Sequence, residues 1–360
     1  MKRTALCLLV SLPLLLCASV AAAAPCATAS PACTEMVGIA GAPGRTLVYR
    51  SYPLDARNPA IVRGVIVIHG LGRDADNYYR HVLAAAFLAG TLDDTVLVVP
   101  RFASNEGGAC KDALASGELG WRCQPRNDTW RTGGAAVGSE VTSFDIVDEL
   151  LRRLARKEVF PNLRTLVVAG HSAGGQFVSR YEMANQVHDS LPVKPSYVVA
   201  NPSSYAYLDA LRPSAAALPA GVAAAAPGYV APLPANPTPP FVPFSDAANC
   251  TGYDTWPYGL QGRNGYSTKL TDDQLKKQLA ARPTTYLLGE LDILPLYGFD
   301  SSCPAMAQGP TRLARGLAYA KYVSEKFGAQ HRMLVVPACG HSARCMFTAD
   351  PVLPLLFPKE

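Results

Sequence analysis

Gly170-His171-Ser172-Ala173-Gly174-Gly175 is where residue type and spacing in this chain point most directly to chemistry. A serine with glycine two residues away on either side can ride a turn too sharp for bulkier neighbours, its hydroxyl held clear of the backbone. That hydroxyl is a weak nucleophile, so it needs a general base, and the base needs a carboxylate to orient it. Two later stretches carry those residue types: Gly289-Glu290-Leu291-Asp292 and Cys339-Gly340-His341-Ser342. The implied chemistry is attack of Ser172 on an acyl carbonyl, with His341 taking its proton and Asp292 holding the imidazole.

A five-residue pattern recurs by chance, and its meaning depends on the elements around it. Gly64–His69, Val96–Pro100, Thr165–Ala169, Ser196–Ala200, Thr284–Leu288 and Arg332–Val336 are continuous apolar, largely β-branched runs. Such runs fit strands covered on both faces. Between them, Asn77–Leu88, Ser143–Arg156, Ala173–Val187 and Arg312–Phe327 read as helices, and Leu47–Arg50 as an antiparallel strand at the leading edge. The alternation predicts an α/β fold: a mostly parallel central sheet with helices on both faces. Ser172 then falls between a buried strand and the start of a helix. The helix N-terminus offers N–H groups and partial positive charge to a developing oxyanion.

Asp292 and His341 each follow a predicted strand. Of the six histidines, His69 ends an early strand, His81 and His188 lie in or near helices, and His331 precedes a strand. His171 belongs to the serine turn, with its side chain expected to point away from Ser172. Asp292 is preferred to Glu290 as the orienting acid, with Asp300 a distant third. One oxyanion donor is expected from Ala173 N–H. The second is expected from His69-Gly70-Leu71-Gly72, where Leu71 N–H is preferred to Gly72. His69 is read as ordering that loop.

Two stretches break the alternation. Arg101–Ser139 is glycine-rich and aperiodic, and 202–283 has a middle, Pro213–Pro243, made almost wholly of alanine, proline and other small residues. Both leave the sheet at the carboxyl end of a strand, where open α/β sheets bind ligands. The expected division is therefore a core of 25–201 and 284–360 with a cap or lid at 202–283. Tyr253, Trp256 and Tyr258 in the cap, and Trp121 and Trp130 in the other loop, are read as packing residues before substrate contacts. Asn201–Tyr205 and Leu294–Tyr297 leave the sheet at the same edge.

Lys2 and Arg3, an apolar run over Ala5–Val20 and the small residues Ala21–Ala24 have the layout of a secretory signal peptide, 1–24. The run is broken at Pro13 and is shorter than the ~20 residues of a bilayer span. Cys7 and Cys17 both follow leucine, which argues against a lipoprotein. Eight cysteines remain after residue 24: Cys26, Cys33, Cys110, Cys123, Cys250, Cys303, Cys339 and Cys345. An even number in a secreted or periplasmic protein suggests disulfides. Connectivity stays open, with sequence neighbours suggesting Cys26–Cys33, Cys110–Cys123, Cys250–Cys303 and Cys339–Cys345. No C-x-x-C pair occurs, so no metal site is expected. A net charge of +5 and a mean hydropathy of +0.09 give no reason to expect nucleic acid or a membrane as partner. Asn127-Asp-Thr129 and Asn249-Cys-Thr251 match the glycosylation sequon.

From about residue 45 to 350 the chain resembles the α/β-hydrolase superfamily. The resemblance rests on His69-Gly70-Leu71-Gly72, on Gly170–Gly174, on the Asp292 loop and on Gly340-His341 in the order Ser, acid, His. It implies a secreted serine hydrolase of esterase, lipase, thioesterase or peptidase type, without metal or organic cofactor. A carboxylic ester, small or polymeric, is the expected substrate. A serine peptidase of the same fold and a non-catalytic binding protein are the alternatives.

Overall fold

Strands too apolar to face water on either side become the inner strands of one sheet, and their helices must then cover it twice. The computed structural model describes residues 24–124, 128–214 and 240–359. The expected signal peptide up to residue 23, the sequon residue Asn127 and the Pro/Ala-rich stretch 215–239 lie outside the described residues. The main sheet runs β1 (Thr34–Val37), β2 (Thr46–Arg50), β4 (Thr95–Pro100), β3 (Arg63–Ile68), β5 (Thr165–His171), β6 (Pro195–Ala200), β9 (Thr284–Gly289), β10 (Arg332–Val336). β1, β2 and β4 pair antiparallel in turn, and every other neighbour is parallel. The six strand runs read from sequence and the antiparallel leading strand are present. β1 is an addition, a short edge strand with one buried residue in four.

Alternate residues of each inner strand feed opposite cores. Val65 and Val67 of β3 join one face with α1 (Ala75–Leu88), α7 (Ala343–Thr348) and α8 (Leu353–Leu356). Ile66 and Ile68 join the other face with α2 (Ser143–Leu154), α3 (Ala173–Ala184) and α6 (Arg312–Phe327). Helix starts are written locally. Thr142 and Asp145 form a capping box on α2, as Thr271 and Gln274 do on α4 (Asp272–Ala281). α6 begins at a Thr311 cap and ends at Gly328, whose φ of +67° suits the left-handed helix stop.

The described parts of the insertion lie against the α3–α6 side of the sheet. A short hairpin, β7 (Leu211–Pro213) with β8 (Phe241–Pro243), brackets the Pro/Ala-rich stretch. Tyr205 stacks on Tyr319 of α6 at 4.3 Å, and the buried Arg212 guanidinium lies over Tyr207 and Tyr253 at 4.4 and 5.0 Å. Trp256 and Tyr258 are buried and Tyr253 half-buried, which makes all three packing residues. Trp121 and Trp130 are also buried, both ringing Phe102. Four disulfides join Cys26–Cys33, Cys110–Cys123, Cys250–Cys303 and Cys339–Cys345. The third ties the insertion to α5 (Cys303–Met306), beyond the acid loop.

One buried carboxyl makes the fold sensitive to pH. Glu182 of α3 accepts from the Thr284 hydroxyl at 2.7 Å, and its other oxygen has no partner. Burial raises its pKa to about 8, against weaker opposing effects of Thr284 and Arg282. The folded state therefore prefers the neutral acid. This contribution is fully present below the carboxyl's unfolded value and fades as pH climbs towards 8. Glu182→Gln should keep the Thr284 bond and raise stability at pH 8 by about 1–3 kcal/mol. Urea unfolding at pH 5 and pH 8 checks this: the variant should gain at pH 8 and change little at pH 5.

Candidate active site

The end of β5 and the start of α3 meet at Ser172, whose φ of +60° and ψ of −118° are a strained conformation for a residue with a side chain. The neighbours explain why the turn is glycine-rich. A Cβ on Gly170 would overlap the Gly174 carbonyl, and one on Gly174 would overlap the Ile68 carbonyl at the end of β3. On Gly175 it would stand 2.5 Å from the Ala200 carbonyl of β6. Ser172 N–H donates to that same Ala200 oxygen at 2.9 Å.

The structure brings Ser172, His341 and Asp292 together. Ser172 Oγ lies 2.9 Å from His341 Nε2, and His341 Nδ1 lies 2.8 Å from Asp292 Oδ2. With a carboxylate as acceptor, Nδ1 carries the proton and Nε2 accepts from the serine hydroxyl. Glu290 is engaged elsewhere, accepting from Ala338 N–H, and Asp300 accepts from Tyr258 and Ser302.

Asp292 has a second partner that sequence reading did not single out. Arg312, at the start of α6, is fully buried and reaches Asp292 Oδ1 at 3.3 Å. The same side chain donates to Ser203 Oγ and to the carbonyls of Leu296 and Tyr297. Burial lowers the Arg312 pKa, and the Asp292 charge works against that. Asn201 was also missed as a tie. With φ +46°, it accepts from Gly289 N–H and donates to the Gly340 carbonyl, linking the acid loop to the histidine loop. An asparagine ending a parallel strand, just where left-handed backbone is needed, was the available signal.

The expected oxyanion loop borders the serine. Gly70, Leu71 and Gly72 line one cleft with Ser172 and His341, with a volume of about 680 Å³, and Ala173 is the first residue of α3. His69 is buried and donates from Nδ1 to Gly70 O while accepting from Phe102 N–H at Nε2. Burial lowers its pKa to about 4, so it is neutral and a structural tie of the loop. His171 is buried, and its ring lies 4.8 Å from the His341 ring. It ends β5 on the α1–α7 side, where the histidine loop also packs. Its Nδ1 bonds Tyr78 Oη at 3.0 Å, and a Cβ on Gly70 would stand 2.6 Å from that hydroxyl. Tyr78 thus spans the oxyanion loop and the serine turn.

The far wall of the cleft comes from the 101–124 loop, through Ala109, Cys110, Cys123 and Gln124. Arg73 pins that loop with a 2.5 Å ion pair to Asp112. Among the described residues, none of the insertion 202–283 lines this cleft. On its other side Tyr297 and His341 also border a second cleft of about 450 Å³, lined by Leu291, Leu294 and Leu296. No group of histidine, cysteine and carboxylate side chains suited to a metal ion occurs among the described residues, and no described helix is long and apolar enough to cross a membrane.

A parallel sheet whose strand-to-helix turn carries a serine within reach of a histidine and an acid is the pattern of the alpha/beta hydrolases. The model of the alpha/beta hydrolase family matches residues 65–353, and the chain belongs to that family. Among solved structures it is similar to the LpqC poly(3-hydroxybutyrate) depolymerase from Bordetella parapertussis. Identity is 22% and the TM-score 0.55, over 87% of this chain and 84% of the other. It is also similar to poly(aspartic acid) hydrolase-1 from Sphingomonas sp. KT-1. There identity is 22% and the TM-score 0.53, over 90% of this chain and 98% of the other. No protein of curated function matches it.

Removing Arg312 would leave Asp292 buried without its cation. Arg312→Met should lower stability by about 3–5 kcal/mol, as expected when one partner of a buried ion pair is deleted. Arg312→Lys should recover only part, because a single ammonium cannot also hold the Leu296 and Tyr297 carbonyls. Chemical denaturation of the two variants checks both statements.

Proposed function

We propose that this protein is an exported serine hydrolase that cleaves carboxylic esters through an acyl-enzyme. The observation that carries the reading is the hydrogen-bonded line from Ser172 through His341 to Asp292. In the first step Ser172 Oγ bonds to the acyl carbon while His341 Nε2 takes the hydroxyl proton. Leu71 and Ala173 N–H groups receive the negative charge that forms on the carbonyl oxygen. The bond to the alcohol oxygen then breaks, and His341 returns its proton to that alcohol. Water enters by the same route, loses a proton to His341 and releases the acid, restoring Ser172. Asp292 stabilises the imidazolium at each stage, and Arg312 keeps Asp292 in place.

The four disulfides support an oxidising compartment, periplasmic or extracellular, as the place of work. Cys339–Cys345 closes a short loop around His341 and would fix its position. The described part of the insertion packs beside α3 and α6. No step needs a metal or organic cofactor.

Ser172→Ala should abolish hydrolysis and labelling by a fluorophosphonate probe, with folding unchanged. Matched ester and amide substrates, run against Ser172→Ala as blank, separate an esterase from a peptidase. Faster amide cleavage would overturn the ester assignment. Both structural neighbours are named for polymer substrates, so acyl chain length is the variable to scan. Tyr78→Phe should lower kcat by about tenfold with little change in KM, because the two oxyanion donors lose their common strap. A fall in stability with kcat intact would reduce Tyr78 to a packing residue.

A further inference from the structure

Tyr297 is held where its backbone and its ring would both be easier to place elsewhere. Its φ is +52°, in the left-handed region that residues with side chains rarely occupy. The residue is 74% exposed, so burial does little to offset that strain. What holds it is Arg312, whose Nη2 donates to the carbonyls of Leu296 at 2.8 Å and Tyr297 at 3.1 Å. The ring lies nearly parallel to His341, at 15° and 6.3 Å between centroids. Leu296 and Leu71 are also exposed beside it, at 48% and 41%.

The two clefts share only Tyr297 and His341. Tyr297 therefore stands on the divide between them. The larger cleft contains Ser172 and Leu71. The smaller contains His341 without Ser172; Leu291, Leu294 and Leu296 give it an apolar side, and Asp292, Gly340 and Ser342 complete its lining. In acyl transfer the acid part bonds to the serine, while the alcohol part departs on the histidine's proton. The group reached from His341 but not from Ser172 is the leaving alcohol.

We propose, resting on the hydrolase reading above, that the substrate is a linear ester whose chain continues on both sides of the scissile bond. Its acyl part lies in the cleft of Ser172 and Leu71, and its apolar alcohol part crosses Tyr297 into the cleft of Leu294 and Leu296. Tyr297 and Leu296 are thus specificity-determining residues on the alcohol side. The strained backbone presents the aromatic ring to the passing chain instead of to the core.

Three substrates test this: 4-nitrophenyl acetate, a short-acid ester of a long alkyl alcohol, and a soluble linear oligoester. Tyr297→Ala and Leu296→Asp should each lower kcat/KM at least tenfold more for the long-alcohol ester and the oligoester than for 4-nitrophenyl acetate. Tyr297→Phe should keep the wild-type ratios. Tyr297→Gly should show the same selective loss while raising the Tm, since glycine tolerates the left-handed backbone. Equal losses on all three substrates, or unchanged ratios, would overturn the two-sided site while leaving the hydrolase reading intact. A Tm that falls in Tyr297→Gly together with equal losses would make Tyr297 a structural residue. If the wild-type protein cleaves none of the three, the hydrolase reading itself fails and this inference falls with it.

Discussion

Gly174 sits so close to the Ile68 carbonyl that a single added carbon has nowhere to go, and its Cβ position is 2.6 Å from the His69 carbonyl as well. The first turn of α3 therefore rests directly on the end of β3. Ser172 and Ala173 start that helix, and His69–Gly72 continue that strand, so the contact sets the nucleophile and both expected oxyanion donors in one frame. Other ties depend on that frame. His69 joins it to Phe102, Tyr78 joins His171 to the Gly70 region, and Ala200 receives Ser172 N–H.

The other half of the site is built with charge and hydrogen bonds where the first half uses close backbone contact. The acid loop and the histidine loop follow adjacent parallel strands, β9 and β10, and Asn201 at the end of β6 bonds to both. Arg312 gathers Asp292, Ser203 and two loop carbonyls on one buried guanidinium. Its planar fork suits several acceptors at fixed angles, which an ammonium could not match. Helix α6 thereby transmits the position of the sheet's far side to the acid, and through it to His341.

Much of this was legible in the sequence because it follows from repeating patterns. β-branched runs located the inner strands, and the order of serine, acid and histidine pointed to three loops that do meet. The glycine spacing around Ser172 encodes close contact directly. The parts that were not legible depend on contacts between distant segments. Nothing in the local sequence of α6 marks Arg312 as the partner of Asp292, since a basic residue opening a helix usually faces solvent. Tyr78 reads as one apolar position among several on α1, and only the fold places it under Gly70. The insertion was expected as a cap or lid, and its described residues pack on α6, because Tyr205 and Tyr207 find ring partners there. The stretch rich in alanine and proline has no periodicity from which a position could be read.

The loop walling the serine's cleft is held by the Cys110–Cys123 bridge and by the Arg73–Asp112 and Arg101–Glu118 ion pairs. Arg101–Glu118 and the disulfide fasten the loop to itself, while Arg73 and the backbone bonds of Arg45 with Gly117 and Leu119 fasten it to the sheet. A change in its length would therefore reach Arg73, and through Arg73 the segment that carries Leu71 beside Ser172.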